Sequence, residues 1–129
     1  MSSLSSYGIQ EIFIKEKNII PLPHSVFQYY NTETVYLSLG MNCCLCVFSK
    51  RLWDNFVEKI KSLPRDHQIK MRILFANVIE VNRNDVIYSP KLCEFACLEK
   101  GTKAILFETA DRIELWNESL FNNQYGNNE

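Results

Sequence analysis

Proline and glycine are both scarce in this chain, four of each, which excludes a collagen-like repeat and leaves no flexible Gly/Ser linker to divide it. Long apolar runs are missing too: none approaches the ~18 residues that a membrane-spanning helix needs. The opening Met1-Ser2-Ser3-Leu4-Ser5-Ser6 has neither the basic flank nor the apolar core of a signal peptide. A cytoplasmic protein with frayed ends is expected, the polar tail 122–129 included. Charge of one sign is lacking as well. A formal net charge of −1 gives no global attraction for nucleic acid, so any such binding needs a local patch or many copies acting together. Phosphate loops, G-x-S-x-G and H-E-x-x-H are absent, and nothing supports an enzyme.

What is present fits one globular domain. A chain of 129 residues, 47% of them hydrophobic, buries roughly two-thirds of its unfolded surface on folding. It also nearly repeats itself. Leu45-Cys46-Val47-Phe48-Ser49-Lys50-Arg51-Leu52-Trp53 is answered by Ile113-Glu114-Leu115-Trp116-Asn117-Glu118-Ser119-Leu120-Phe121, and upstream Leu37-Ser38-Leu39 faces Ile105-Leu106-Phe107 at the same offset. Two copies are too few for a solenoid, which needs ~3 repeats.

Each copy reads as β-α-β-β. In the first, Tyr7 to Ile14 and Ile19 to Leu22 suggest a hairpin around Lys15-Glu16-Lys17-Asn18. Pro23 then opens a short helix over 24–30, followed by strands over 34–40 and 43–48. In the second copy, Val78 to Val81 and Val86 to Tyr88 suggest a hairpin around Asn82-Arg83-Asn84-Asp85. A helix over 91–98 and strands over 104–107 and 112–116 follow. Between the copies, Ser49 and Asp66 can cap two helices with apolar residues at helical spacing. The fold class is therefore α+β: two pseudo-symmetric units in a single domain 1–129, with repeat 1 about 7–48, a helical connector 49–76 and repeat 2 about 78–124.

The five cysteines lack the two C-x-x-C pairs of a zinc ribbon. Cys44 and Cys46 share a strand face with Cys43 opposite, and Cys93 and Cys97 share a helix face, so all five read as small core hydrophobes with no metal. His24 and His67 each stand alone beside a helix start, as surface or capping residues. Tyr29, Tyr30 and Trp53 are the aromatics best placed for a subunit interface. The cations of the connector, among them Lys50, Arg51 and Lys59, read as a solvated helix face.

The order of these features resembles the MraZ family, bacterial transcriptional regulators built from two SpoVT/AbrB-type swapped-hairpin units. Gly8 stands fifteen residues before Pro23, and Lys17-Asn18, Ile20 and Leu22-Pro23 resemble the end of the family's D-x-K-G/N-R-I/V/L-x-I/V/L-P signature. Arg72-Ile73-Leu74-Phe75-Ala76-Asn77 and Ile113-Glu114-Leu115-Trp116-Asn117-Glu118 are similar to two later family segments. The resemblance implies a DNA-binding, nucleoid-associated regulator that binds repeated promoter boxes as a ring-shaped homo-oligomer, with no cofactor. It points to Lys15, Lys17 and Asn18 in the first turn, and Arg83 and Asn84 in the second, as the DNA contacts. The chain departs from the signature where function would sit. Lys15 and Ile19 replace its aspartate and arginine, as do Asn82 and Val86 in the second copy, or Asp85 for Val86 if the register slips by one. An aliphatic side chain supplies none of arginine's donors. The alternative is a protein-interaction module that keeps fold and ring without reading DNA.

Overall fold

The computed structural model of the chain describes residues 8–126. In chain order the elements are β1 Ile9–Phe13, β2 Ile19–Ile20, α1 His24–Tyr30, β3 Thr34–Leu39, β4 Leu45–Phe48, α2 Lys50–Lys61 and α3 Arg65–Leu74. They continue with β5 Ile79–Asn82, β6 Ile87–Tyr88, α4 Pro90–Ala96, β7 Lys103–Glu108, β8 Ile113–Asn117 and α5 Glu118–Tyr125. The fold is mixed α+β. No helix among the described residues is long and apolar enough to cross a membrane.

Six strands form one antiparallel sheet in the order β1-β7-β8-β4-β3-β5, and β2 pairs with β6 in a separate ladder. This corrects the two expected hairpins. β1 and β2 do not pair with each other: β1 joins β7, from Ile9 opposite Phe107 to Phe13 opposite Lys103. β5 likewise joins β3, with Thr34 opposite Asn82 and Leu37 opposite Ile79. Each half of the chain thus supplies the edge strand of the other half. Local pattern marks a strand, but the strand's partner is chosen by burial far along the chain.

The sheet is covered on both faces, which is why β4 reads Leu-Cys-Val-Phe with every residue buried. Leu45 and Val47 point into a core with Val26 and Phe27 of α1, Leu92 and Ala96 of α4, and Ile20 and Ile87 of the β2–β6 ladder. Cys46 and Phe48 point the other way, with Ile60, Phe75, Trp116 and Phe121, beneath α2 and α5. Ser49 and Asn117 begin those helices, accepting from the backbone N–H of Leu52 at 3.2 Å and of Leu120 at 3.0 Å.

Four local expectations change. Val35 and Leu37 share a core with Ala104 and Leu106, so Leu37 answers Leu106 rather than Ile105. The connection after β3 is one residue longer than that after β7. The extra residue is absorbed at the 3-10 turn Met41–Cys43, where Asn42 and Cys43 take φ of 61° and 63°. Helix α4 starts at Pro90, capped by Ser89, and ends at Ala96; Cys97 turns left-handed and is exposed, so Cys93 alone of that pair is buried. Asp66 lies in the first turn of α3, which Pro64 precedes as the capping residue. The tail does not fray at 122: α5 runs to Tyr125, whose ring lies 5.0 Å from Phe107 and 5.5 Å from Trp116. Residues 127–129 and Tyr7 lie outside the described residues.

Candidate nucleic-acid interface

The β2–β6 ladder is short, two residues on each side and roughly 7 Å long. Ile20 and Ile87 anchor it in the core, while Tyr88 is 66% exposed. The turn before β2 lies at one end, where the Asn18 carbonyl accepts from Ser89 N–H at 2.9 Å. Antiparallel pairing sets the turn before β6 at the other end. The five sequence-assigned residues therefore form two groups flanking one ladder, not a single cluster.

The first turn presents its charges to solvent. Glu16 accepts from the Ile19 N–H at 3.3 Å, closing a tight turn with Asn18 at a φ of 65°. Asparagine tolerates this left-handed conformation better than most residues. Lys15 and Lys17 are exposed, and neither has an ion-pair partner among the described residues. Lys17 and Asn18 also line a surface depression with Glu94, Glu99 and Lys100, so the field beyond the turn is mixed in sign.

The second turn is tied down. The Asp85 carboxylate accepts from Asn82 N–H at 2.8 Å, and Asn82 Oδ1 accepts from the Thr34 hydroxyl at 2.6 Å. Arg83 is turned inward, its Nε 3.1 Å from Glu33 Oε1 and its guanidinium 5.4 Å above the Phe27 ring. Its backbone N–H donates to the Glu33 carbonyl at 2.8 Å. Through Nε and Nη2, which donates to the Thr32 carbonyl at 3.4 Å, Arg83 holds β5 against the α1–β3 connection. Asn84, at a φ of 76°, sets Oδ1 3.0 Å from His24 Nε2. Val86, which the resemblance sets against the signature arginine unless the register slips to Asp85, is 77% exposed.

Sequence reasoning treated His24 as an isolated residue. Its approach to Asn84 depends on how α1 packs against the ladder, and a separation of sixty positions in sequence carries no local signal of it. Tyr29 and Tyr30, assigned to an interface, are half-buried; the Tyr29 hydroxyl donates to Glu108 and that of Tyr30 to the Val47 carbonyl at 2.6 Å. Two connector lysines are paired along their own helix, Lys50 with Asp54 at 3.2 Å and Lys61 with Glu58 at 3.1 Å.

No family model matches the chain. It is similar to proteins described as the transcriptional regulator MraZ in several bacteria. With that of Acetivibrio thermocellus it is 31% identical over 126 residues, covering 93% of this chain and 86% of the relative. With that of Carboxydothermus hydrogenoformans it is 31% identical over 97 residues, covering 70% and 66%. With that of an Acidovorax species it is 36% identical over 81 residues, covering 60% and 56%.

Proposed function

The chain belongs to the MraZ family of transcriptional regulators, and from that membership we propose that it is a DNA-binding regulator, not an enzyme, that meets DNA through the turn Lys15 to Asn18. The observation that carries this reading is the exposure of Lys15 and Lys17 without acidic partners. A solvated ammonium neutralises a phosphate as a point charge, while sequence readout asks for planar, bidentate donors. One subunit offers few such contacts. A ring-shaped homo-oligomer bound to repeated promoter boxes multiplies them through effective concentration. In this reading the chain is one domain of two SpoVT/AbrB-like units, about 7–48 and 78–124, joined by the connector 49–76. It works in the cytoplasm at the nucleoid, without a cofactor.

Arg83 and Asn84 enter this reading differently from the lysines. Their side chains brace the second turn against Glu33 and His24, so fewer of their donors are left for DNA. The experiment that tests the proposal is binding of the purified protein to genomic promoter fragments at two salt concentrations, beside a scrambled fragment. Selective, salt-sensitive binding is expected, and its absence from a folded sample would sink the reading.

The exposure of Val86 just before the ladder and of Tyr88 on it favours a second reading, in which this face binds a protein. Capture of a protein partner by a chain that ignores promoter DNA would select it.

A further inference from the structure

Three side chains that the two turns do not use meet at the centre of the sheet. Cys44, Cys46 and Glu114 are buried to 1%, 2% and 5% exposure. The two sulfurs and a Glu114 carboxylate oxygen all lie within 4.8 Å of one another. Cys46 and Glu114 are paired directly across β4 and β8, so the triangle draws on both halves of the chain.

Packing of small hydrophobes accounts for the buried sulfurs, but not for a charged pair set against them. Glu114 Oε1 accepts from Trp116 Nε1 at 2.9 Å and Oε2 from Arg112 Nη2 at 3.0 Å, leaving each oxygen a further lone pair. Outer hydrogen bonds of this kind fix the orientation of a ligating carboxylate. Arg112 Nε is buried and has no partner among the described residues. A Cβ at residue 40 would stand 2.6 Å from Cys46 Sγ and 3.0 Å from Cys44 Sγ, so Gly40 is what leaves both sulfurs room.

We propose that Cys44, Cys46 and Glu114 form a binding site for a thiophilic divalent metal ion of the Zn²⁺ class, joining β4 to β8. Two sulfurs and one carboxylate oxygen belong to the ligand types that Zn²⁺ takes in tetrahedral sites. The fourth position falls to water or to the Met41 carbonyl, which lies 3.2 Å from Cys44 Sγ. Both thiol protons pass to solvent as the metal binds. Two thiolates and the Glu114 carboxylate outweigh the one guanidinium, which Asp111 also shares, so a divalent ion offsets more of this buried negative charge than a monovalent one.

The test uses the full chain, kept reduced, with the exposed Cys43 and Cys97 changed to serine. Co²⁺ is titrated in, followed by Zn²⁺. One equivalent of Co²⁺ is expected to give a sulfur-to-metal charge-transfer band that Zn²⁺ removes. Cys44→Ser and Cys46→Ser should each abolish the band, and Cys93→Ser should leave it unchanged. In the unsubstituted chain, Zn²⁺ at ten times its Kd should slow alkylation of Cys44 and Cys46 about tenfold. This mass-spectrometric measurement needs no variant that might fail to fold. A folded chain with no band, a band that survives loss of both cysteines, or alkylation indifferent to Zn²⁺ would overturn the site.

Discussion

His24 Nε2 and Asn84 Oδ1 lie 3.0 Å apart, tying the first turn of α1 to the turn that opens β6. With Arg83 on Glu33, this contact braces the second turn, while the first keeps two lysines in solvent. The two turns therefore separate in experiment.

Replacing Lys15 and Lys17 together by alanine should leave the melting temperature unchanged and weaken DNA binding on every sequence. Each lost phosphate contact lowers the salt slope by ~0.9. Arg83→Ala should do the reverse, costing about 1 kcal/mol of stability through the Phe27 and Glu33 contacts with little effect on the slope. Salt titrations and urea melts of both variants decide. Equal effects on both observables would contradict the division.

Alkaline stability should depend on Tyr29. Burial first, and then its hydrogen bond to Glu108, push its phenol from 10.0 up to about 12. The unfolded phenol ionises at its ordinary value, so above it the unfolded state has lost a proton that the folded state keeps. The contribution is whole below pH 10 and disappears as pH rises to 12. Tyr30, also pushed up by burial, acts in the same direction. Urea midpoints should fall across that window, less steeply for Tyr29→Phe; an unchanged slope in that variant would rule the assignment out.

The two helix caps should contribute independently. Ser49→Ala is expected to cost about 1 kcal/mol. Asn117→Ala should cost more, because its amide also donates to the Cys97 carbonyl at 2.9 Å. The caps serve different helices and share no partner, so the double variant should equal the sum to within about 0.5 kcal/mol. Denaturant melts of the three proteins measure this directly.

Removing one partner of the buried ion pair should be the most damaging change. Arg112→Ala leaves the Glu114 carboxylate, 5% exposed, with Trp116 as its remaining donor. Because Arg112 is itself partly exposed, the low end of the usual range, about 3 kcal/mol, is expected. Glu114→Gln removes the charge but keeps the shape, and should cost less. A thermal shift larger for Glu114→Gln than for Arg112→Ala would refute this account.

Much of the architecture was legible because it is written locally. Ser49 as a cap, helix α1 after Pro23, and the four strands of the sheet's middle follow from residue type and period. Pairing was not legible. β1 and β2 flank a turn that suits a hairpin, and the turn residue Asn18, with its positive φ, fits the observed crossing as well. The choice is made by Phe107 and its neighbours on β7, nearly a hundred residues away. The one-residue change between Leu37 and Leu106 is not legible locally because Ile105, Leu106 and Phe107 are apolar on both faces of β7, so a slip still matches Leu37 with an apolar residue. At the interface, the sequence marked Lys15, Lys17 and Arg83 as similar cations. Their different roles come from Glu33 and Phe27, which meet Arg83 only in the folded chain.

The exchange of edge strands also bears on biosynthesis. A nascent chain that has released only β1 to β4 holds β1 with no strand to pair with, since its partner β7 begins at Lys103. The ladder of β2 waits for Ile87 and Tyr88 in the same way. Contacts this distant in sequence slow folding and prolong exposure of unpaired edges. Ribosome-bound intermediates stalled before β7 should therefore be the species on which chaperones act, and maturation should be a late event, completed as one step when the second half emerges.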